Sequence, residues 1–516
     1  MSRRTERLGF NRRSFLKGVG GVVGASTLAG PWLQFPAFAQ DSLTIAQGAD
    51  ATTLDPKDRG STATGNVILA VFDPLLVRDA DMSIKSWLAK SVAQKDETTW
   101  VVNLEEGISF SNGEPLNAEA IKYSLDRILD PEKQAVIKRF FDGITGSTVI
   151  DEYTLEIDTE IPNDTLFHIR MTFLFPVPPQ HVENVGDEAF SQSPLGTGPY
   201  EFVEWIKDDR IELRAQPDYW AGTMAYEQVT FTVIPEDLSR IAALRTGEVD
   251  VAVGIPPAQA EALEGREGLF VAGGDTPTTR VMVLTFDTSE PPADSLDFRK
   301  AVKYAVHPQP IIQGLFSGRA VPVNSSLSPG VPGWPQETDY TYPYDPDQAQ
   351  ALLDGLDLGN EEILLRTPRG TFPQDAETAQ AVAGQLQEVG INAAVRAEEY
   401  GGFFDDLTAG EMSPLFLMGQ GNVWLDPVPQ LDAFYASEGF ISTFADDQVD
   451  QYLQQASKET NAEERSRIIG QTLQRLKEQA AGVPLFAQVF LYGVNDRVQW
   501  TPRPDVVVRV HEFGRK

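Results

Sequence analysis

The feature that most constrains the fold is a strand–helix–strand pattern that recurs along the chain. Its clearest instance runs from an apolar strand at residues 363–366, through a helical stretch at 376–389 closed by Gly390, into a strand at 391–395. Apolar spacing near 3.6 residues marks the helix, and short β-rich runs bounded by turn residues mark the strands. The same reading places strands at 43–47, 99–104, 211–214, 228–233, 249–253 and 281–286. Helices fall at 65–76, 117–128, 238–246, 297–306 and 462–479, and Asp345-Pro346 opens a further one. Asn117 and Asp345 are N-cap residues, since their side chains accept from the first free N–H groups. Strands and helices alternate too often for segregated layers, so the class is α/β. A chain of 516 residues implies two to four domains.

What the chain lacks narrows its chemistry. It has no cysteine, which excludes disulfides, Fe–S clusters, thiolate nucleophiles and Cys-ligated zinc. The four histidines (His168, His181, His307 and His511) lie far apart in sequence. No metal site or cofactor is expected. The acidic pairs Asp79/Asp81 and Asp345/Asp347 lack a calcium loop's glycine and spacing, and read as turns and caps. No G-x-S-x-G, H-E-x-x-H or P-loop occurs beyond the first 39 residues. A formal charge of −33 makes a nucleic-acid partner or docking on anionic lipid unfavourable.

That charge is an average of two unlike parts. Arg3, Arg4, Arg7, Arg12, Arg13 and Lys17 against Glu6 give residues 1–39 a charge of +5, which leaves −38 for residues 40–516. An apolar stretch at 18–33 follows, then Ala37-Phe38-Ala39, a small-x-small cleavage signal. Asn11-Arg12-Arg13-Ser14-Phe15-Leu16-Lys17 resembles the twin-arginine export signal. The reading is a signal peptide over 1–39, cleaved after about Ala39. With no cysteine to carry lipid and no second long apolar run, the mature chain has no membrane anchor and is expected in the periplasm as a monomer.

Several motifs, in order, resemble the extracytoplasmic solute-binding proteins of peptide, opine and nickel ABC importers, known as solute-binding family 5. They are Leu54-Asp55-Pro56; the Leu104, Gly107, Phe110, Gly113, Pro115, Leu116, Ala118 series; Gly196-Thr197-Gly198-Pro199-Tyr200; and Pro217-Asp218-Tyr219-Trp220. Leu244-Arg245-Thr246-Gly247-Glu248-Val249-Asp250, the stretch from Asp297 to Val306, and Asp426-Pro427 complete the series. The resemblance implies a two-lobed periplasmic binding protein fold of type II, cluster C. Lobe I would comprise 40–60, 197–286 and 488–516, an extra subdomain 61–196, and lobe II 287–487. Crossovers between the lobes would fall near Phe286-Asp287-Thr288 and near 486–492. It also implies a non-catalytic protein that captures a small organic solute or short peptide and delivers it to ABC permease subunits.

Candidate ligand residues follow from the regions where the family lines its pocket. Ser61, Thr62 and Thr64 offer hydroxyls, although the same residues suit a helix cap. Asn422, Trp424 and Asp426 lie in the run up to Asp426-Pro427, where Trp424 can stack on a ligand or serve as a core tryptophan. Arg369, beside Gly370 at a strand's carboxyl end, can grip a carboxylate. Arg280 and the polar loop Asn324-Ser325-Ser326 are further candidates. One departure bears on ligand class. Peptide binders of the family carry an Asp where this chain has Val423 and a Trp where it has Gln420, and the helix at 376–389 has no Arg. A zwitterionic peptide would then lack both countercharges, so peptide stands as one candidate among organic solutes. Two other functions remain open: an exported hydrolase such as a glycosidase, and a chaperone-like peptide scavenger.

Overall fold

In the computed structural model, the described residues are 41–331, 343–359 and 361–516, so the leader expectations lie outside them. Two mixed sheets organise these residues. The first strand, Ser42–Gln47, is central to a sheet of seven. It pairs in parallel with Gln228–Val233 on one side and Val251–Val253 on the other, with Ile45 opposite Phe231 and Val251. Antiparallel strands Arg210–Ala215 and Tyr200–Ile206 extend one edge, and Tyr492–Asn495 and Leu269–Ala272 extend the other. Leu43 and Ile45 are wholly buried and Ala46 is too, as expected where helices cover both faces.

The second sheet has six strands: Ala320–Pro322, Gly482–Val489, Pro277–Phe286, Leu415–Gln420, Ile363–Pro368 and Ala393–Glu398. The strand–helix–strand unit read from sequence is here. Ile363–Pro368 and Ala393–Glu398 run parallel, joined by the helix Asp375–Glu388. The helix Ala462–Glu478 buries the predicted stripe Ile468, Ile469, Thr472, Leu473 and Leu476 against the same core. A third body carries the antiparallel sheet Ala89–Gln94, Thr99–Leu104, Thr154–Thr159, Ile144–Asp151. The helix Ala118–Leu129 packs on it, and Asn117 Oδ1 accepts from Ala120 N at 3.1 Å, as its cap role predicts.

Two expectations are corrected. The strand Pro277–Phe286 pairs along its length with Leu415–Gln420 and Gly482–Val489. The chain therefore leaves the seven-stranded sheet at 273–276, about ten residues before Phe286-Asp287-Thr288. Thr278, Thr279 and Arg280 are polar and concealed the strand's first half. The second passage between the two sheets is Phe490 and Leu491, between Gly482–Val489 and Tyr492–Asn495. The helix expected over 65–76 is Thr62–Val71. Pro74 disfavours helical backbone at Asp73, and the chain turns into the strand Leu76–Arg78.

The two passages touch. Gly273 has φ of +92°, and a Cβ there would stand 2.2 Å from the Phe490 carbonyl oxygen. Only glycine fits both that conformation and that approach.

The shared motifs prove to be framework. At Gly196 and Gly198 a Cβ would fall 2.0 and 2.5 Å from Val71 backbone atoms. Gly198 N donates to the Val71 carbonyl at 2.9 Å, stitching this turn to the helix end. Buried Asp73 accepts from Tyr219 Oη, Trp220 Nε1 and Trp87 Nε1 at 2.8–3.0 Å. Asp250 accepts from Thr44 N at 2.9 Å and from Arg497 Nε at 2.8 Å, tying the first strand to the chain's end.

Candidate functional site

The loop after Leu415–Gln420 carries three of the candidate residues. Asn422 Nδ2 donates to the Asp426 carbonyl at 2.9 Å, and Asn422 Oδ1 accepts from Asp426 N at 3.3 Å. Both residues are buried, and the pair closes the loop on itself. Asp426 caps the helix Pro427–Tyr435 through Val428 N, and Arg465 grips both its oxygens at 2.7 and 2.8 Å. Its lone pairs are largely occupied. Leu425, with φ of 56°, takes the left-handed backbone that lets the chain turn sharply between Trp424 and Asp426. Val423, standing where peptide binders place their Asp, is 60% exposed.

Trp424 spans two bodies. It belongs to the six-stranded sheet's loop, yet it packs on the core of the four-stranded body. Its ring meets Phe140 edge-on at 5.1 Å and Phe173 at 6.4 Å, with the Arg170 guanidinium over it at 5.4 Å. Its carbonyl accepts from Arg78 at 2.7 Å.

Phe173 leads to the other group. The Arg59 guanidinium stands over Phe173 at 5.6 Å and over Phe175 at 5.7 Å. Ser61, two residues on, is the N-cap of Thr62–Val71. Its Oγ accepts from Thr64 N at 3.2 Å and meets Thr64 Oγ1 at 3.0 Å. Thr64 is buried and its Oγ1 accepts from Thr52 N at 3.0 Å, whereas Ser61 and Thr62 are exposed. The contacts thus join the 59–64 segment and the Trp424 loop through Phe173. Arg369 is not part of this chain of contacts. It is exposed and donates to the Ala397 carbonyl at 2.9 Å. Its neighbour Arg366 is paired with Glu398 and Asp406 at 2.6 and 2.5 Å. Arg280 lies over Phe372 at 5.3 Å and along Gly419 and Gly421.

The structure adds residues that sequence reasoning missed. Arg59, Arg78, Arg503 and Arg509 all lie within electrostatic reach of Asp505, and Arg503 and Arg509 also of Glu512. Arg503 engages both carboxylates, at 3.1 Å from Asp505 and 2.7 Å from Glu512, and donates to the carbonyls of Arg78 and Asp79. Arg78 donates to the Met82 and Trp424 carbonyls. Arg59 and Arg509 differ. Among the described residues neither guanidinium has a hydrogen-bond partner, and Arg509 Nε is buried without one. Arg509 is 7% exposed. Burial brings each down to about 10, opposed at Arg59 by Asp505; at Arg509 the charge of Arg503 adds to burial while Asp505 and Glu512 oppose it. Both remain cationic at neutral pH. His511 beside them is lowered to about 4 by burial and by Arg509 and Arg503. No local motif could have flagged this set, since positions 59 and 509 are 450 residues apart. Among the described residues no group of three or more His, Asp or Glu is placed to hold a metal.

Comparison with known proteins defines the class. The chain superposes on the substrate-binding protein CtaP of an ABC transporter from Listeria monocytogenes with a TM-score of 0.81, at 21% identity, covering 92% of this chain and 99% of that one. HbpA2 from Haemophilus parasuis gives a TM-score of 0.83 at 18% identity, covering 92% and 100%. The fold is that of the two-lobed periplasmic binding proteins. Residues 83–442 match the sequence model described as bacterial extracellular solute-binding proteins, family 5 middle. The chain belongs to that family. The glutathione-binding protein GsiB of Shigella flexneri serotype 5b is 27% identical over 467 residues, 88% of this chain and 90% of that protein. CtaP and GsiB are binding proteins. No helix among the described residues is long and apolar enough to cross a membrane.

Proposed function

We propose that this protein is the substrate-binding component of an ABC importer and acts without catalysis. It captures a small organic solute, glutathione-like or otherwise peptide-like, and delivers it to membrane permease subunits. The observation that carries the reading is family membership, with a fold likeness spanning nine-tenths of the chain. The bodies on the seven- and six-stranded sheets act as lobes that close over the ligand, hinging at 273–276 and 490–491. The extra four-stranded body supplies Phe140 and Phe173 to the cleft wall opposite Trp424. Ser61, Thr62 and Trp424 are the candidate residues best disposed for ligand contact, because Asn422 and Asp426 are engaged with each other and with Arg465. A signal peptide removed near Ala39, a periplasmic location and a monomeric state complete the proposal.

The test is a calorimetric titration of the purified protein with glutathione, short peptides, opines and sugars, with product analysis of each mixture. One compound should bind at one-to-one stoichiometry and be recovered unchanged. Turnover of the bound compound would establish a hydrolase instead, and equal binding of many unrelated extended peptides would favour a scavenger.

A further inference from the structure

We infer that Arg59 and Arg509 form an anion subsite that receives a carboxylate of the bound solute, a reading that rests on the solute-binding role proposed above. Four guanidiniums meet two carboxylates in this cluster, and Arg503 takes both. The next carboxylates are also committed: Asp426 to Arg465 and Asp79 to Lys85. Two positive charges are left over, on the two arginines without hydrogen-bond partners. Arg509 is buried and Arg59 half-buried; an unpaired buried cation is costly, so its persistence points to a partner that comes and goes.

Both arginines are held ready. The Arg59 guanidinium stands over the Phe173 and Phe175 rings, contacts that steady it without using a hydrogen-bond acceptor. The segment bearing Arg509 is fixed by Val508 N donating to Asn66 Oδ1 at 2.9 Å, and Asn66 sits in Thr62–Val71. Arg59 lies against the first turn of that helix, 3.4 Å from where a Gly65 Cβ would project. The helix's positive end adds to the attraction for an anion. Two guanidinium forks suit bidentate carboxylate recognition. Phe173, shared by Arg59 and Trp424, offers an apolar wall to the rest of the same solute.

The experiment titrates the purified protein and its Arg59→Gln, Arg509→Gln and doubly substituted forms with glutathione and with glutathione diethyl ester, which lacks both carboxylates. Citrate serves as a simple anion probe, followed by thermal shift. The inference expects the ester to bind the unsubstituted protein at least roughly tenfold more weakly than glutathione. It expects each substitution to weaken glutathione by at least roughly tenfold while leaving ester binding unchanged. Equal losses for acid and ester, or no loss for either, would overturn it. If glutathione binds no form, the ligand proposed above is wrong and citrate decides the subsite. Stabilisation by citrate that the double variant lacks supports the subsite, and equal stabilisation overturns it. A lower melting temperature of the ligand-free double variant would show the arginines to be structural braces and also overturn it.

Discussion

Asp426–Arg465 and Arg59–Arg509 make opposite use of the same side chain. In the first, a bidentate ion pair is complete: each carboxylate oxygen has its guanidinium nitrogen, and the same carboxylate caps a helix. In the second, two arginines share a cluster whose acids are hydrogen-bonded to Arg503 instead. A buried pair that is closed braces the fold, whereas a buried cation left open is an appetite for an anion. Buried charge has to be judged by what remains unpaired.

The largest expected effect breaks the closed pair. Asp426→Ala leaves Arg465, only 16% exposed, without its acid and removes a helix cap. The loss should be about 3–5 kcal/mol in urea denaturation. Trp424→Ala removes the ring that joins two bodies through Phe140 and Phe173. Because this tryptophan is only partly buried, the cost should be about 2–3 kcal/mol, below that of a fully buried ring, with weaker ligand binding in the same variant.

A pH profile sharpens the open side. His511 titrates near 4 in the folded protein against about 6.5 unfolded. Between those values the unfolded chain binds a proton that the folded one refuses, so stability rises with pH across the window. It is fully present above about 6.5 and lost as pH falls toward 4. The contribution should be about 2 kcal/mol after allowing for partial exposure, read as the difference between melting profiles of the protein and His511→Gln. The smallest effect is expected at Arg369→Ala. An exposed side chain with one carbonyl contact should cost under about 0.5 kcal/mol. A tenfold loss of affinity there would place ligand contacts outside the cluster drawn around Arg59.

The framework was far more legible than the site. Gly196 and Gly198 are readable because backbone contact with Val71 admits no side chain. Tyr219 and Trp220 are readable because one buried carboxylate, Asp73, needs both. Such demands are local and leave a spaced motif. The strand Ala89–Gln94, polar on most positions, escaped notice because it is an exposed edge with little apolar signal. The first half of Pro277–Phe286 escaped because its threonines and arginine interrupt the apolar run. Arg59 and Arg509 are ordinary in their own neighbourhoods. Only folding brings them together and shows that neither guanidinium hydrogen-bonds the acids nearby.

The position of that arginine pair has a consequence for speed. It lies within a chain whose residues 40–516 carry a formal charge of −38. An approaching anion meets a repelling field at long range and an attracting site only at short range. Salt screens the first over a Debye length of about 8 Å at physiological ionic strength, while a buried contact is screened far less. Capture of an anionic solute should therefore quicken as salt is added, the reverse of ordinary electrostatic steering.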